Sequence, residues 1–99
     1  MMTEEQLKEF KKRIAPVVNQ SNVSYVALFG SYARGEGKEG SDVDLLVRFS
    51  KPIDFIEFIE LEENFSKHLG KKVDLVTEKS LSPYLKPYVL KDLKTLYEG

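Results

Sequence analysis

The sequence predicts an α/β fold in which a small mixed β-sheet carries helices mainly on one face. Two observations predict it. Three short, apolar and β-branched runs (residues 23–30, 41–49 and 71–77) alternate with two amphipathic helical stretches, residues 4–18 and 55–69. The second helical stretch is long enough to cross the sheet between two parallel strands, which suits a right-handed strand–helix–strand connection.

Each element has a local reason. The first helix opens on a capping box, with Thr3 as N-cap and Gln6 three residues on, and Leu7, Phe10, Ile14, Val17 and Val18 make one apolar stripe. Packing of that stripe against the sheet is expected. The run VSYVALFG then reads as a strand ending at Gly30, and SYARGEG begins a short helix or turn. A Gly-rich, charged loop leads into SDVDLLVRF, the second strand. The second helix follows Asp54 with Glu57 three residues on and stops at Gly70, and Phe55, Phe58, Ile59, Phe65 and Leu69 are its expected core residues. His68 sits near its C-terminus as a polar end-of-helix residue, favourable for the helix dipole. KKVDLVT is the third strand. Pro83 and Pro87 exclude one undisturbed helix over residues 82–90, since Pro87 lacks an N–H and disfavours helix at Lys86. A turn after Leu81, a short helix through Asp92 and a last strand over residues 94–97 are predicted. Tyr84, Tyr88 and Tyr97 are candidates for a partner surface, with half-buried packing the expected state of each.

Composition bounds what such a chain does. Its 99 residues are 41% apolar and 31% charged, and one domain spanning 1–99 is expected. No segment approaches the roughly 20 apolar residues of a membrane span, and the acidic N-terminus is unlike a secretory signal. With no cysteine there is no disulfide framework, so a cytoplasmic location is expected. A net charge of −1 provides no electrostatic footprint for nucleic acid, and direct nucleic-acid binding is not expected.

The chemistry concentrates in two places. Asp42 and Asp44 lie two apart at the start of a strand, so both project from one face, roughly 6.5–7 Å apart, while Val43, Leu45 and Val47 take the other. Unpaired carboxylates so placed repel each other and lose hydration. A third acid, Asp74, interrupts a strand marked as buried by Val73, Leu75 and Val76. Solvation at a strand end or pairing with lysine is the structural explanation of any one of these acids. All three together, in a chain with no cysteine and one distant histidine, favour an oxygen-only site for Mg²⁺ or Mn²⁺ over a zinc site. The second place is Gly30-Ser31. Backbone N–H groups at a helix start, with a serine hydroxyl among them, make a site for terminal phosphates, and Gly30 permits close approach. Ser31 as an ordinary N-cap is the alternative. If Ser31 and Asp42 are to reach one metal-bound nucleoside triphosphate, the first two strands must run antiparallel. Asp74 then falls beside Asp44 if the second and third strands are parallel neighbours.

The run GSYARGEGKEGSDVDLLV resembles the signature of the DNA polymerase β superfamily: Gly-Ser, a spacer, then Asp-x-Asp. In detail it is similar to the minimal nucleotidyltransferases, antitoxins of the MntA type paired with HEPN-domain ribonuclease toxins. The resemblance is dense from Leu28 to Val47, looser through Asp74, and intact at the motif positions. It implies a nucleotidyltransferase core in which Gly30 and Ser31 hold the β and γ phosphates of ATP. It further implies that Asp42 and Asp44 bind both of two Mg²⁺ ions, and that Asp74 completes the ion activating the attacking hydroxyl or takes its proton. Arg34 matches the family's Ala-Arg-Gly position and supports the phosphates or the acids, or else forms a structural ion pair with an acid such as Asp44. The implied reaction moves AMP from ATP to a tyrosine hydroxyl of a cognate HEPN toxin and silences it. Two alternatives remain at this level: an antitoxin that acts by binding alone, and a nucleotidyltransferase of a small-molecule acceptor.

Overall fold

The structure is a computed structural model, and it describes residues 2–38 and 40–99. Helix α1 (Glu4–Asn19) begins at the expected box: the Thr3 hydroxyl accepts from the Gln6 backbone N–H, and the Gln6 side chain accepts from the Thr3 N–H. Pro16 lies within its last turns, where it removes one N–H, and the helix ends three residues later. Strand β1 (Val23–Phe29) runs directly into α2 (Gly30–Ala33), then a loop reaches β2 (Val43–Phe49). Asp54 caps α3 (Phe55–Leu69) by accepting from the Glu57 N–H at 2.8 Å, and Gly70 ends it in the left-handed conformation, φ +68°. Strand β3 (Val73–Thr77), a 3₁₀ turn (Glu78–Ser80), α4 (Lys86–Asp92) and β4 (Lys94–Glu98) complete the order. Helix α4 accommodates Pro87 within its first turn, where an N–H is not needed. The disfavoured position, Lys86, is therefore the helix start and not a break.

Among the described residues the strands form one sheet in the order β3-β2-β1-β4. β1 is antiparallel to both β2 and β4, and β2 is parallel to β3. Period-two alternation then sorts the side chains. One face carries Val26, Leu28, Val43, Leu45, Val47, Val73, Leu75 and Leu96 into the main core. There Phe10, Ile14, Val17 and Val18 of α1 and Leu61, Phe65 and Leu69 of α3 cover them. The opposite face holds a smaller apolar group, Tyr25, Ala27 and Leu46, against Phe29, Val76, Leu81 and Leu93. The α/β class, the mixed sheet and the one-sided long helices are as the sequence predicts.

Two core expectations fail on α3. Phe55 is 76% exposed and Ile59 39%. The face that meets the sheet is set by Leu61, Phe65 and Leu69, with Phe58 partly buried beside it. Ile59 stands about 120° around the helix from Phe65, and Phe55 occupies the first turn. Leu61, four residues before Phe65, lies on the inward face that Ile59 misses. Half-burial fails for Tyr84 and Tyr88 as well, at 86% and 72% exposed, because α4 turns only Val89 inward. Tyr97 is partly buried against the main core, as expected.

Candidate functional site

The sheet register brings the acids together. Asp44 is opposite Asp74 in the parallel β2–β3 ladder and opposite Phe29 in the antiparallel β1–β2 ladder. Phe29 directly precedes Gly30, so the Gly-Ser turn emerges beside Asp44. Contact is close: a Cβ added to Gly30 would lie 2.3 Å from Asp44 Oδ2. Gly30 also has φ +76°, a left-handed conformation that disfavours any side chain. Two separate constraints therefore require glycine there, and one of them is the carboxylate itself.

Asp42 lies just ahead of β2, two residues before Asp44. It pairs with Lys72, whose Nζ lies 3.9 Å from Oδ2; the lysine is largely solvated and the aspartate about half. Such a pair contributes little. Asp44 is half-buried, and burial pushes its carboxyl above the usual carboxylate range, followed by the charges of Asp74 and then Asp42; Arg34 opposes these more weakly. Asp44 is thus a carboxylate in want of positive charge. Asp74 is exposed, on the same side of the sheet as Asp44.

Among the described residues, no three His, Cys, Asp or Glu side chains form a group that could hold a metal ion by themselves. The donor set still fits Mg²⁺ or Mn²⁺. It is all hard oxygen, it carries excess negative charge, and Mg²⁺ characteristically takes one or two carboxylates together with water and substrate phosphates.

Ser31 is the second residue of α2. Its N-cap position is Phe29, with no side-chain cap bond, so the helix-cap alternative for Ser31 does not hold. The Ser31 carbonyl accepts from the Glu36 N–H at 2.8 Å, which folds the following loop back on the turn. Tyr32 steadies that loop from beneath, its hydroxyl donating to the Lys38 carbonyl at 3.1 Å.

Arg34 is paired, but not with Asp44. Its Nη1 lies 2.7 Å from Asp92 Oδ2 on α4, and its Nε 3.4 Å from Glu36. Asp92 raises the Arg34 pKa first, and Glu36 adds to it. The guanidinium therefore ties the end of the Gly30 turn to the end of α4, while acting on Asp44 only through its charge.

Two residues absent from the sequence reading hold Asp74 in place. β3 is an edge strand, and α3 covers its free edge: Leu75 N–H donates to Glu62 Oε2 at 2.8 Å, and Val73 N–H to Ser66 Oγ at 3.0 Å. Both neighbours of Asp74 are thereby fixed to α3. A polar pair at i, i+4 on the sheet-facing side of a helix was the available signal.

Comparison with known proteins identifies the family. The family model described as nucleotidyltransferase domain matches residues 4–96, and the chain belongs to that family as a minimal nucleotidyltransferase of the polymerase β superfamily. It is 46% identical over 71 residues to the protein adenylyltransferase MntA of Thermococcus cleftensis, covering 72% of each chain. A crystal structure of a toxin-antitoxin with AMP-PNP superposes with a TM-score of 0.75 at 28% identity, over 90% of this chain and 73% of that one. A second similar structure is the tri-AMPylated Shewanella oneidensis HEPN toxin in complex with MNT antitoxin. There the TM-score is 0.68 at 26% identity, over 94% of this chain and 73% of that one.

Proposed function

We propose that this chain is an antitoxin that transfers AMP from ATP to a tyrosine hydroxyl of a cognate HEPN-domain toxin. The observation that carries the reading is the pairing of Asp44 with Asp74 across parallel strands, with the Gly30 turn pressed against the same carboxylate. A triphosphate seated on the turn would extend directly over the acids.

In this reading Gly30 and Ser31 hold the terminal phosphates through backbone N–H groups and the hydroxyl. Arg34, kept in place by Asp92 and Glu36, offsets negative charge beside them. Asp42, Asp44 and Asp74 would hold two Mg²⁺ ions, or Mn²⁺, which when bound supply charge stabilisation at the attacking and leaving oxygens of an in-line displacement. Asp74 receives the phenolic proton. The tyrosine oxygen bonds to the α-phosphorus as the bond to the bridging oxygen breaks, and pyrophosphate leaves. The 99 residues act as a single minimal domain. Among the described residues no helix is long and apolar enough to cross a membrane, and the cytoplasm supplies both ATP and the toxin.

Incubation with Mg²⁺, ATP and the HEPN-domain protein encoded in the same genome, followed by intact-mass measurement of both chains, tests the reading. It expects whole adenylyl groups on the HEPN protein. A stable complex without any mass gain would favour neutralisation by binding alone.

A further inference from the structure

Helix α4 and the turn before it carry an unusual surface. Tyr84, Leu85, Tyr88 and Leu90 are 86%, 56%, 72% and 43% exposed, and Val89 alone among residues 83–90 is buried. Aromatic side chains left in water on a short helix forgo most of the stabilisation their burial would contribute, and contiguous exposed apolar groups mark interaction sites. The charges around them are one-sided. The two acids of residues 78–92, Glu78 and Asp92, are already paired with Arg48 and Arg34. Lys79, Lys86 and Lys91 are exposed and have no ion-pair partner among the described residues.

Position decides what this surface serves. Helix α4 packs against β1 and α2, and its last residue, Asp92, holds Arg34 at the end of the Gly30 turn. The aromatic face therefore borders the nucleotide end of the molecule. The other exposed apolar group, Phe55 and Ile56, follows the far end of β2, away from Asp44.

We propose that Tyr84, Leu85 and Tyr88, ringed by Lys86 and Lys91, form the docking surface for the protein acceptor, whose matching patch is apolar at its centre and acidic at its rim. This rests on the proposed protein-adenylylating function. The two aromatic rings are the anchors, and the lysines steer association.

The test measures the affinity of purified variants for the HEPN-domain protein of the preceding experiment, and separately for AMP-PNP with Mg²⁺. Tyr84→Ser with Tyr88→Ser should weaken toxin binding by roughly 30-fold or more and leave AMP-PNP binding unchanged. Lys86→Glu with Lys91→Glu should slow association and flatten its dependence on salt. Ile56→Ser should bind as the parent does. Unchanged toxin affinity in both α4 variants, or a loss confined to Ile56→Ser, would overturn the proposal. A parent dimer broken by the tyrosine substitutions, with toxin affinity intact, would assign the face to a second copy and overturn it too. If the parent neither binds nor modifies the HEPN protein, the functional reading itself fails, and this surface falls with it.

Discussion

At Asp44 three demands meet: half-burial, two neighbouring carboxylates, and the Gly30 backbone in contact with its oxygen. Its raised pKa means that the neutral form suits the folded state. That advantage is complete below the ordinary carboxylate pKa, roughly 4, and is lost as pH rises through the raised value. Asp44→Asn is neutral at every pH. Without metal it should melt higher than the parent at pH 7, with the gap closing as pH falls toward that range, and it should transfer no AMP. A variant that melts lower at pH 7, or one that retains transfer, would contradict the assignment. Gly30→Ala should be damaging twice over, through a left-handed φ costing about 1–2 kcal/mol and through a clash that displaces Asp44. Denaturant unfolding and transfer assays should both register it. Ser31→Ala should weaken ATP use by about 0.5–3 kcal/mol, the range that spans lost hydrogen bonds to neutral and to charged groups, with stability unchanged. A nucleotide titration identical to the parent's would leave Ser31 no phosphate role.

The elements show what a sequence discloses and what it hides. The bounds of α3 were legible because Asp54, Glu57 and Gly70 act within a few residues of one another. The antiparallel β1–β2 pair and the parallel β2–β3 pair followed from requiring Ser31, Asp42 and Asp74 to converge. Arg34 was legible as a special residue, but its partner was not: Asp92 is 58 residues away, and no local pattern links them. The burial of Leu61 over Ile59 depends on where the helix axis settles against the sheet, and periodicity alone leaves that rotation open by a fraction of a turn. Glu62 was equally hidden, since its use depends on β3 being an edge strand. Its bond to the Leu75 N–H is part-buried, so Glu62→Ala should destabilise by about 1–3 kcal/mol and lower the rate of transfer, because Asp74 loses its support. Glu62→Gln, which keeps an acceptor oxygen, should restore most of both. Equal loss in the two variants would show that charge, not the hydrogen bond, is what β3 requires.

Across the whole molecule, the two long helices occupy one face of the sheet, so Asp44 and Asp74 are left on the other, where only short segments lie. The arrangement leaves a nucleotide accessible to an acceptor as large as a protein. Mg²⁺ with ATP should raise the parent's melting temperature by mass action, and much less that of Asp44→Asn. A catalyst and a mere clamp are told apart at Asp74. It is exposed, belongs to β3 and not to the α4 surface proposed for docking, and is proposed to serve the reacting hydroxyl. The most direct measurement expresses the HEPN toxin in cells together with folded Asp74→Asn and weighs the recovered toxin. If the chain is a catalyst, the variant still binds nucleotide, leaves the toxin without adenylyl groups, and fails to protect the cells. Full protection by Asp74→Asn with an unmodified toxin would contradict it.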